Sequence, residues 1–451
     1  MKRIVLLLLL SLSCAGYAHS EELYNAAPTD IPRVERDMKR PGFWIARHPS
    51  PDKVILDPGK IGEFNLHIQD DLKLVVDITK FPSLAGGGEF KAHQSESLKK
   101  LKAEGLYTVK CDKAGDTFYG PIERNMDLGA VPEKMPVRFG FVVKFADQRI
   151  LPTSEGLYAK PNDLDFDELQ NSGLDIGTPV AVLYKSRDNK WLYTQSALSR
   201  GWAEADKVAF CERKEFEIFM RDYKPVVVTS AKADIFLDPG LKDYYGYIKM
   251  GTTLAFSANI EAQVVEVVVP LRESSGAVSF RKGYMRKEAV KEGYLPYTAR
   301  NIIQQAFELF NEPYGWGDMR GEQDCSRFIQ QIFATTGIQL PRNAIDQAKT
   351  GLLLGEFDKT VPGEEKIKIL KQKAVGGLTL LYLKGHIMLF LGMIDGAPYA
   401  IHATWAYREN VEGQDRIRLV NRVAVTDLAL GKGAGKGSLL ERLVAIRLIA
   451  E

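Results

Sequence analysis

Cysteine and histidine are scarce in this chain, with four Cys and six His among 451 residues. No His-x-x-x-His, Cys-x-x-Cys or clustered Cys/His spacing occurs. That excludes the usual zinc arrangements, and nothing in the sequence points to a metal or cofactor. A surplus of one charge is missing too. Lys and Arg total 60 against 58 Asp and Glu, for a formal net charge of +2, so the basic surface that nucleic-acid binding relies on is absent. Beyond the N-terminal run, no segment reaches about 18 uninterrupted apolar residues, which excludes a permanent transmembrane helix. What remains is ordinary folded-protein composition, 45% hydrophobic, 10% aromatic and 26% charged.

The N-terminus reads as an address. Met1-Lys2-Arg3 precedes an apolar run from Ile4 to Leu10, and Gly16-Tyr17-Ala18 is a small-x-small cleavage site. This is the pattern of an export signal, placed at residues 1–20. The expected location is therefore exported: periplasm or cell envelope. Cys14 raises the alternative of a lipid anchor, but Ser11 stands where lipoprotein-type signals prefer Leu, and simple cleavage is favoured. Loss of Cys14 leaves Cys111, Cys211 and Cys325, an odd number, so at least one thiol should be free. Cys111 and Cys211 either pair or are two buried reduced cysteines.

The length suggests roughly three domains, and the pattern divides the chain further. Residues 22–130 form a first, mostly helical or mixed segment with Pro-rich turns, a strand-like run Leu74–Ile78 and a Gly86-Gly87-Gly88 triplet read as a flexible surface loop. Residues 131–210 and 211–295 repeat each other weakly. Gly177-Thr178 and Gly251-Thr252 each open a strand, and Gly201-Trp202 and Gly283-Tyr284 stand at the same distance before Val208 and Val290. Short β-branched and aromatic runs between turns predict two small SH3-like β-barrels. From residue 297 to 451 the character changes. Ala299–Phe310 and the stretch after Cys325 have helical spacing, the second ending near Gly337. Strand-like runs follow at Leu378–Leu383, Ile387–Leu391 and Tyr399–Ile401, so this last segment reads as an α+β domain.

That segment also holds the chemistry. Cys325 lies where a helix should begin, and helix-end amides and a nearby imidazole can lower a thiol's pKa enough to give a thiolate nucleophile. The same amides could hold an acyl oxyanion. His386 begins one strand and His402 ends the next, with Asp395-Gly396 as the turn. This places His402 opposite Met388, two positions from His386, so both imidazoles share a sheet face. His386 would act as base and acid, and His402 would orient it.

Tyr314-x-Trp316-Gly317, Asp324-Cys325-Ser326, Leu340-Pro341-Arg342, Gln347, Gly385-His386 and His402 together resemble the NlpC-type cell-wall cysteine peptidases. The two β-units are similar to the bacterial SH3-like domains that accompany such enzymes. The first segment, with Phe43-Trp44, Asp57-Pro58 and Phe64-Asn65, resembles the stabilising region N-terminal to them. The resemblance implies a papain-like fold and hydrolysis of the γ-D-glutamyl-L-diamino acid bond in peptidoglycan stem peptides. It implies Cys325 as nucleophile, His386 as base and His402 as third polar residue. Asp324 and Ser326 would contact a free N-terminal L-Ala amine, and Tyr314 would be the active-site tyrosine, with Trp316 beside it in the substrate site. Arg327 departs from the family's usual Gly. It would pair either with a substrate carboxylate or, on the outer helix face, with solvent. The SH3-like units would bind wall or wall off the cleft so that only released peptides enter; near-neutral charge favours the second. Two alternatives stay open: an amidase of the same fold, and a non-catalytic wall-binding protein.

Overall fold

A computed structural model describes residues 24–25, 30–261 and 263–450. The expected export signal and Cys14 lie outside the described residues. Among them, no helix is long and apolar enough to cross a membrane.

Three seven-stranded sheets organise the molecule. The C-terminal sheet runs, edge to edge, through Tyr24–Asn25, Gln414–Asp427, Ala397–Val411, His386–Ile394, Thr379–Leu383, Leu443–Leu448 and Leu352–Glu356. All its neighbours are antiparallel except Tyr24–Asn25, which pairs parallel with the Gln414 strand. Ala299–Glu308, capped by the Thr298 hydroxyl, and Cys325–Ala334 pack on one face of the sheet, and Gly363–Lys373 packs on the other through Leu370. Phe328, Ile329 and Ile332 of the second helix share one core with Ile387, Leu389 and Ile401 of the sheet. Gly337 ends that helical region with a φ of 86°, a left-handed position that Gly adopts without strain.

The repeat seen in the sequence has a structural counterpart. In each β-unit, three consecutive antiparallel strands lead through a 3-10 turn into a short final strand. In the first unit these are Pro179–Lys185, Trp191–Gln195, Arg200–Glu204 and Val208–Cys211. In the second they are Thr253–Glu261, Val264–Arg272, Val278–Arg286 and Val290–Glu292. Gly201 and Gly283 occupy equivalent third strands, where a Cβ would collide with Arg149 O at 2.7 Å and with Val269 Cγ2 at 2.2 Å. Each unit is laid out as a seven-stranded antiparallel sheet, the first including Arg138–Val142, Ala146–Arg149 and Gln170–Leu174. The helix Arg213–Arg221 lies between the units and seats Phe216 on Phe139 and Phe141.

The N-terminal segment divides its buried side chains between two cores. Met38, Trp44, Ile45, Leu56, Ile61 and Ile68 join the core of the C-terminal sheet. Phe90, Leu98, Leu101, Tyr119, Ile122 and Met126 instead pack with Trp191, Tyr193 and Trp202 of the first β-unit. Two local expectations change here. The Leu74–Ile78 run forms no strand; Val76 N–H donates to Ala197 O, and a 3-10 turn begins at Ile78. The glycine triplet is no surface loop. Gly86 ends a strand, and Gly87 opens the helix Gly87–Glu104, buried so closely that a Cβ would lie 1.8 Å from Pro132 O.

Cys111 and Cys211 are both free thiols. Cys211 is buried, but Cys111 is only partly so and hydrogen-bonds to Asn162 Oδ1 at 3.0 Å. The reading of two buried cysteines therefore holds for one of them.

Candidate active site

Cys325 is the first residue of its helix, and Asp324 is the N-cap. The carboxylate does what an N-cap does, Oδ1 accepting from Arg327 N at 2.8 Å and from Ser326 Oγ at 2.9 Å. It is also held by Arg342, Nη1 to Oδ1 at 3.1 Å and Nη2 to Oδ2 at 2.8 Å. Gln347 closes the arrangement, its Nε2 donating to Ser326 O at 2.8 Å and Pro341 O at 2.9 Å. Arg342 also donates to Ser326 Oγ at 3.0 Å. Asp324 and Ser326, expected as amine contacts, both face the buried Arg342 guanidinium in this structure.

Cys325 is 8% exposed, and amides from Ile387 and Ser326 reach its sulfur. The expected thiolate is not what this environment favours. Burial, reinforced by the Asp324 charge, pushes the thiol up to about 12, more than the amides and Arg342 offset. The Tyr314 hydroxyl is likewise raised, by burial and then by the charges of Cys325 and Asp324, and stays a phenol able to donate.

The two histidines meet, His386 Nε2 lying 2.7 Å from His402 Nδ1. The route to this contact is instructive. Asp395 and Gly396, with φ of 49° and 82°, form a two-residue hairpin turn that pairs Ile394 with Ala397. The expected pairing of His402 with Met388 is met, but the turn alone does not give it: strict pairing from there would set Leu389 opposite His402 and turn the rings to opposite faces. A bulge between Phe390 and Gly392 moves the register by one, pairing Leu389 with Ile401 and bringing Met388 in line with His402.

His402 Nε2 lies 2.9 Å from Thr426 Oγ1 on the next strand. A His386 Nδ1 free to take a proton requires hydrogen on Nε2, donated to His402 Nδ1. His402 then carries its hydrogen on Nε2, directed at Thr426. Burial, followed by Arg442, lowers His386 to about 4, and burial holds His402 well below the usual imidazole value.

Both rings therefore stay neutral in the folded protein where an unfolded chain would protonate them. Acid should destabilise the fold below about pH 6.5, by up to about 1.4 kcal/mol per pH unit for each histidine, the His386 share running down to about pH 4. Thermal melts from pH 7 to 4.5 should show this slope, and His386→Gln should flatten it. An unchanged slope in the variant would remove His386 from the account.

The Tyr314–Trp316 lead-in forms one wall. Gly317 has φ of 59°, and a Cβ there would meet Gln170 O at 2.9 Å, so glycine is required. Facing the wall is Phe166 from the first β-unit, with ring centroids 5.5 Å from Trp316, 5.0 Å from Trp405 and 6.5 Å from Tyr314. Asp165 beside it is exposed and accepts from Trp405 Nε1 at 2.8 Å. Sequence reasoning missed Asp165, Phe166, Trp405 and Thr426; no local pattern marks a loop residue that meets a strand some 240 positions away.

Arg327 corrects both expectations for it. The guanidinium faces neither a substrate carboxylate nor solvent. It is 9% exposed and bonds Asp175 Oδ2 at 2.7 Å and Gln330 Oε1 at 2.6 Å. The polar side of this helix is covered by the first β-unit, so its polar residues are buried as well as its apolar ones. Among the described residues no group of three His, Cys, Asp or Glu side chains could hold a metal.

A helix-borne cysteine packed on a sheet that carries two bonded histidines defines a cysteine–histidine α+β domain. Comparison makes this specific. Residues 311–415 match the NlpC/P60 family and residues 157–204 the SH3 domain of SH3b1 type, so the chain carries an NlpC/P60 domain together with an SH3-like domain. A curated relative, the gamma-D-glutamyl-L-lysine dipeptidyl-peptidase of Bacillus subtilis (strain 168), is 39% identical over 74 residues, 16% of this chain. The match spans a quarter of that relative's length. Among solved structures, an NlpC/P60 endopeptidase from Photobacterium damselae subsp. piscicida superposes with a TM-score of 0.72 at 21% identity, covering 90% of this chain and 95% of the other. That likeness establishes a shared fold across nearly the whole chain.

Proposed function

We propose that this protein is an exported peptidoglycan stem-peptide hydrolase, a cysteine endopeptidase that cuts the γ-D-glutamyl-L-diamino acid bond of peptides with a free N-terminal L-Ala. The observation that carries the reading is the Cys325 helix start beside the His386–His402 pair, under an aromatic wall completed by Phe166. The name of the Bacillus relative supports the choice of bond. Cys325 Sγ attacks the γ-carbonyl carbon of D-Glu while His386 Nδ1 takes the thiol proton. The C–N bond breaks, His386 returns the proton to the leaving amine, and water then hydrolyses the thioester. No cofactor enters this chemistry.

The first β-unit favours released peptides over intact wall. Phe166 closes against Trp316 and Trp405, and the exposed Asp165 carboxylate stands at that edge. It is better placed than Asp324 to receive an ammonium, because Arg342 already neutralises Asp324. Delivery to the periplasm or cell envelope follows from the N-terminal signal, with lipid attachment at Cys14 as its alternative form.

Incubation with stem tetrapeptide should release L-Ala-D-Glu, detected by mass spectrometry; no cleavage of that peptide, together with scission between muramic acid and L-Ala when the muramyl tetrapeptide is supplied, would favour the amidase instead. Asp165→Asn should raise KM for the free-amine peptide roughly tenfold. The N-acetylated peptide should be a poor substrate for both proteins, to the same degree. An equal rise in KM for both peptides would remove Asp165 from amine recognition.

A further inference from the structure

A short run of the first β-unit is bonded to the residues that surround Cys325. Gln170 Nε2 donates to Gly317 O at 3.0 Å, and the Gly173 amide donates to Asp318 Oδ2 at 3.0 Å. Ser172 Oγ accepts from Arg342 Nε at 3.0 Å, and Asp175 Oδ2 accepts from Arg327 Nη2 at 2.7 Å. Ser172 and Asp175 are each 2% exposed, so these contacts are sheltered from solvent. Their partners stand one step from the nucleophile. Arg342 grips Asp324 and Ser326, the two neighbours of Cys325. Arg327 lies in the first turn of the same helix, two residues past Cys325.

The receiving segment is held in an uncommon shape. Gly317, Asp318 and Arg320 have φ of 59°, 67° and 61°, left-handed values that cost a side-chain-bearing residue unless its surroundings enforce them. Asp318 is fully buried between Arg327 Nε at 3.5 Å and Arg342 Nη2 at 3.6 Å. The bonds from Gly173 and Gln170 supply that enforcement, because they come from outside the segment.

We propose that Asp175 and Ser172 are positioning residues for the hydrolysis, acting through Arg327 and Arg342 to fix the first turn of the nucleophile helix against the His386 strand. The first β-unit is then a working part of the active site as well as a cover over its cleft. The inference rests on Cys325 being the nucleophile, as proposed above. It gives different signs to two measurements. Removing the Asp175 charge leaves the surroundings of Cys325 more positive, which favours thiolate. Losing the restraint on Arg327 misplaces the sulfur, and a displacement of about 1 Å costs on the order of 100-fold. A thiol that ionises more readily yet turns over more slowly is misplaced rather than under-ionised.

Asp175→Asn in the full chain should lower kcat for stem tetrapeptide by roughly 10- to 100-fold per folded molecule, with KM within about twofold. The pH midpoint for alkylation of Cys325 by iodoacetamide should move down. Asp175→Glu should restore most of the turnover. The double variant with Arg327→Gln should be no slower than the slower single variant. Should Asp175→Asn fail to fold, Ser172→Ala removes the hydrogen bonds to Arg342 and Asp318 and no charge, and should lower kcat roughly fivefold. A variant with wild-type kcat per alkylatable Cys325, or with its loss confined to KM or to melting temperature, overturns the proposal. The alkylation measurement needs no substrate. An unshifted midpoint in Asp175→Asn counts against the proposal even if the wild-type protein cleaves a different amide.

Discussion

Cys325→Ala should reduce release of L-Ala-D-Glu from stem tetrapeptide by at least about 10⁴-fold while leaving peptide binding within a few-fold of wild type. The loss should be this large because, among the described residues, no other thiol stands in for it. Cys211 is buried beside Glu215, and Cys111 is committed to Asn162. Binding survives because the aromatic wall of Tyr314, Trp316 and Phe166 does not depend on the sulfur. Cys325→Ser should be nearly as inactive. The resting site keeps even a thiol protonated, pushed up to about 12 by burial and by Asp324, and a hydroxyl in the same place is harder still to deprotonate. Product quantified by mass spectrometry decides the matter, and turnover above about one part in a hundred in the alanine variant would show that the chemistry lies elsewhere.

The site was legible where chemistry depends on neighbours in sequence. A cysteine after a capping carboxylate, at the head of a periodic stretch, announces a helix N-terminus, and Cys325–Ala334 begins there. The hairpin carrying the histidines was legible from Asp395-Gly396. The pairing of His402 with Met388 was also anticipated, but its cause was not, since the bulge between Phe390 and Gly392 that brings the rings together leaves no mark in the sequence.

The burial that pushes the Cys325 thiol up was not legible from its helix end, because burial is set by residues far along the chain. The same blindness explains Arg327. A polar helix face reads as a solvent face unless something covers it, and here the cover is residues 170–175. The N-terminal segment shows the limit at the scale of domains. Its turns and helices are local, but the division of its apolar residues between two cores appears only once both sheets are present.

His386→Ala should lower kcat/KM by about 10³- to 10⁴-fold, the upper range for a general base that also acts as the acid. Alkylation of Cys325 need not slow equally, because that reaction requires the sulfur but no proton delivered to a leaving amine. The pH dependence of the wild-type protein makes the assignment specific. Burial and Arg442 disfavour the imidazolium and lower His386 to about 4, so the basic form persists at acidities where a free imidazole is mostly protonated. The acid limb of kcat/KM should therefore fall near pH 4 instead of near 6.5, as the apparent value of the coupled His386–His402 pair. His402→Ala should open the buried side of His386 to water, relax that penalty and move the limb upward, while lowering kcat because the ring loses the partner that fixes its tautomer. A limb that stays put in His402→Ala would mean that the second imidazole packs against the first without governing it. A wild-type limb near 6.5 would mean that the cleft is wetter than the Phe166 cover implies, and that the acid form of His386 is within reach at neutral pH.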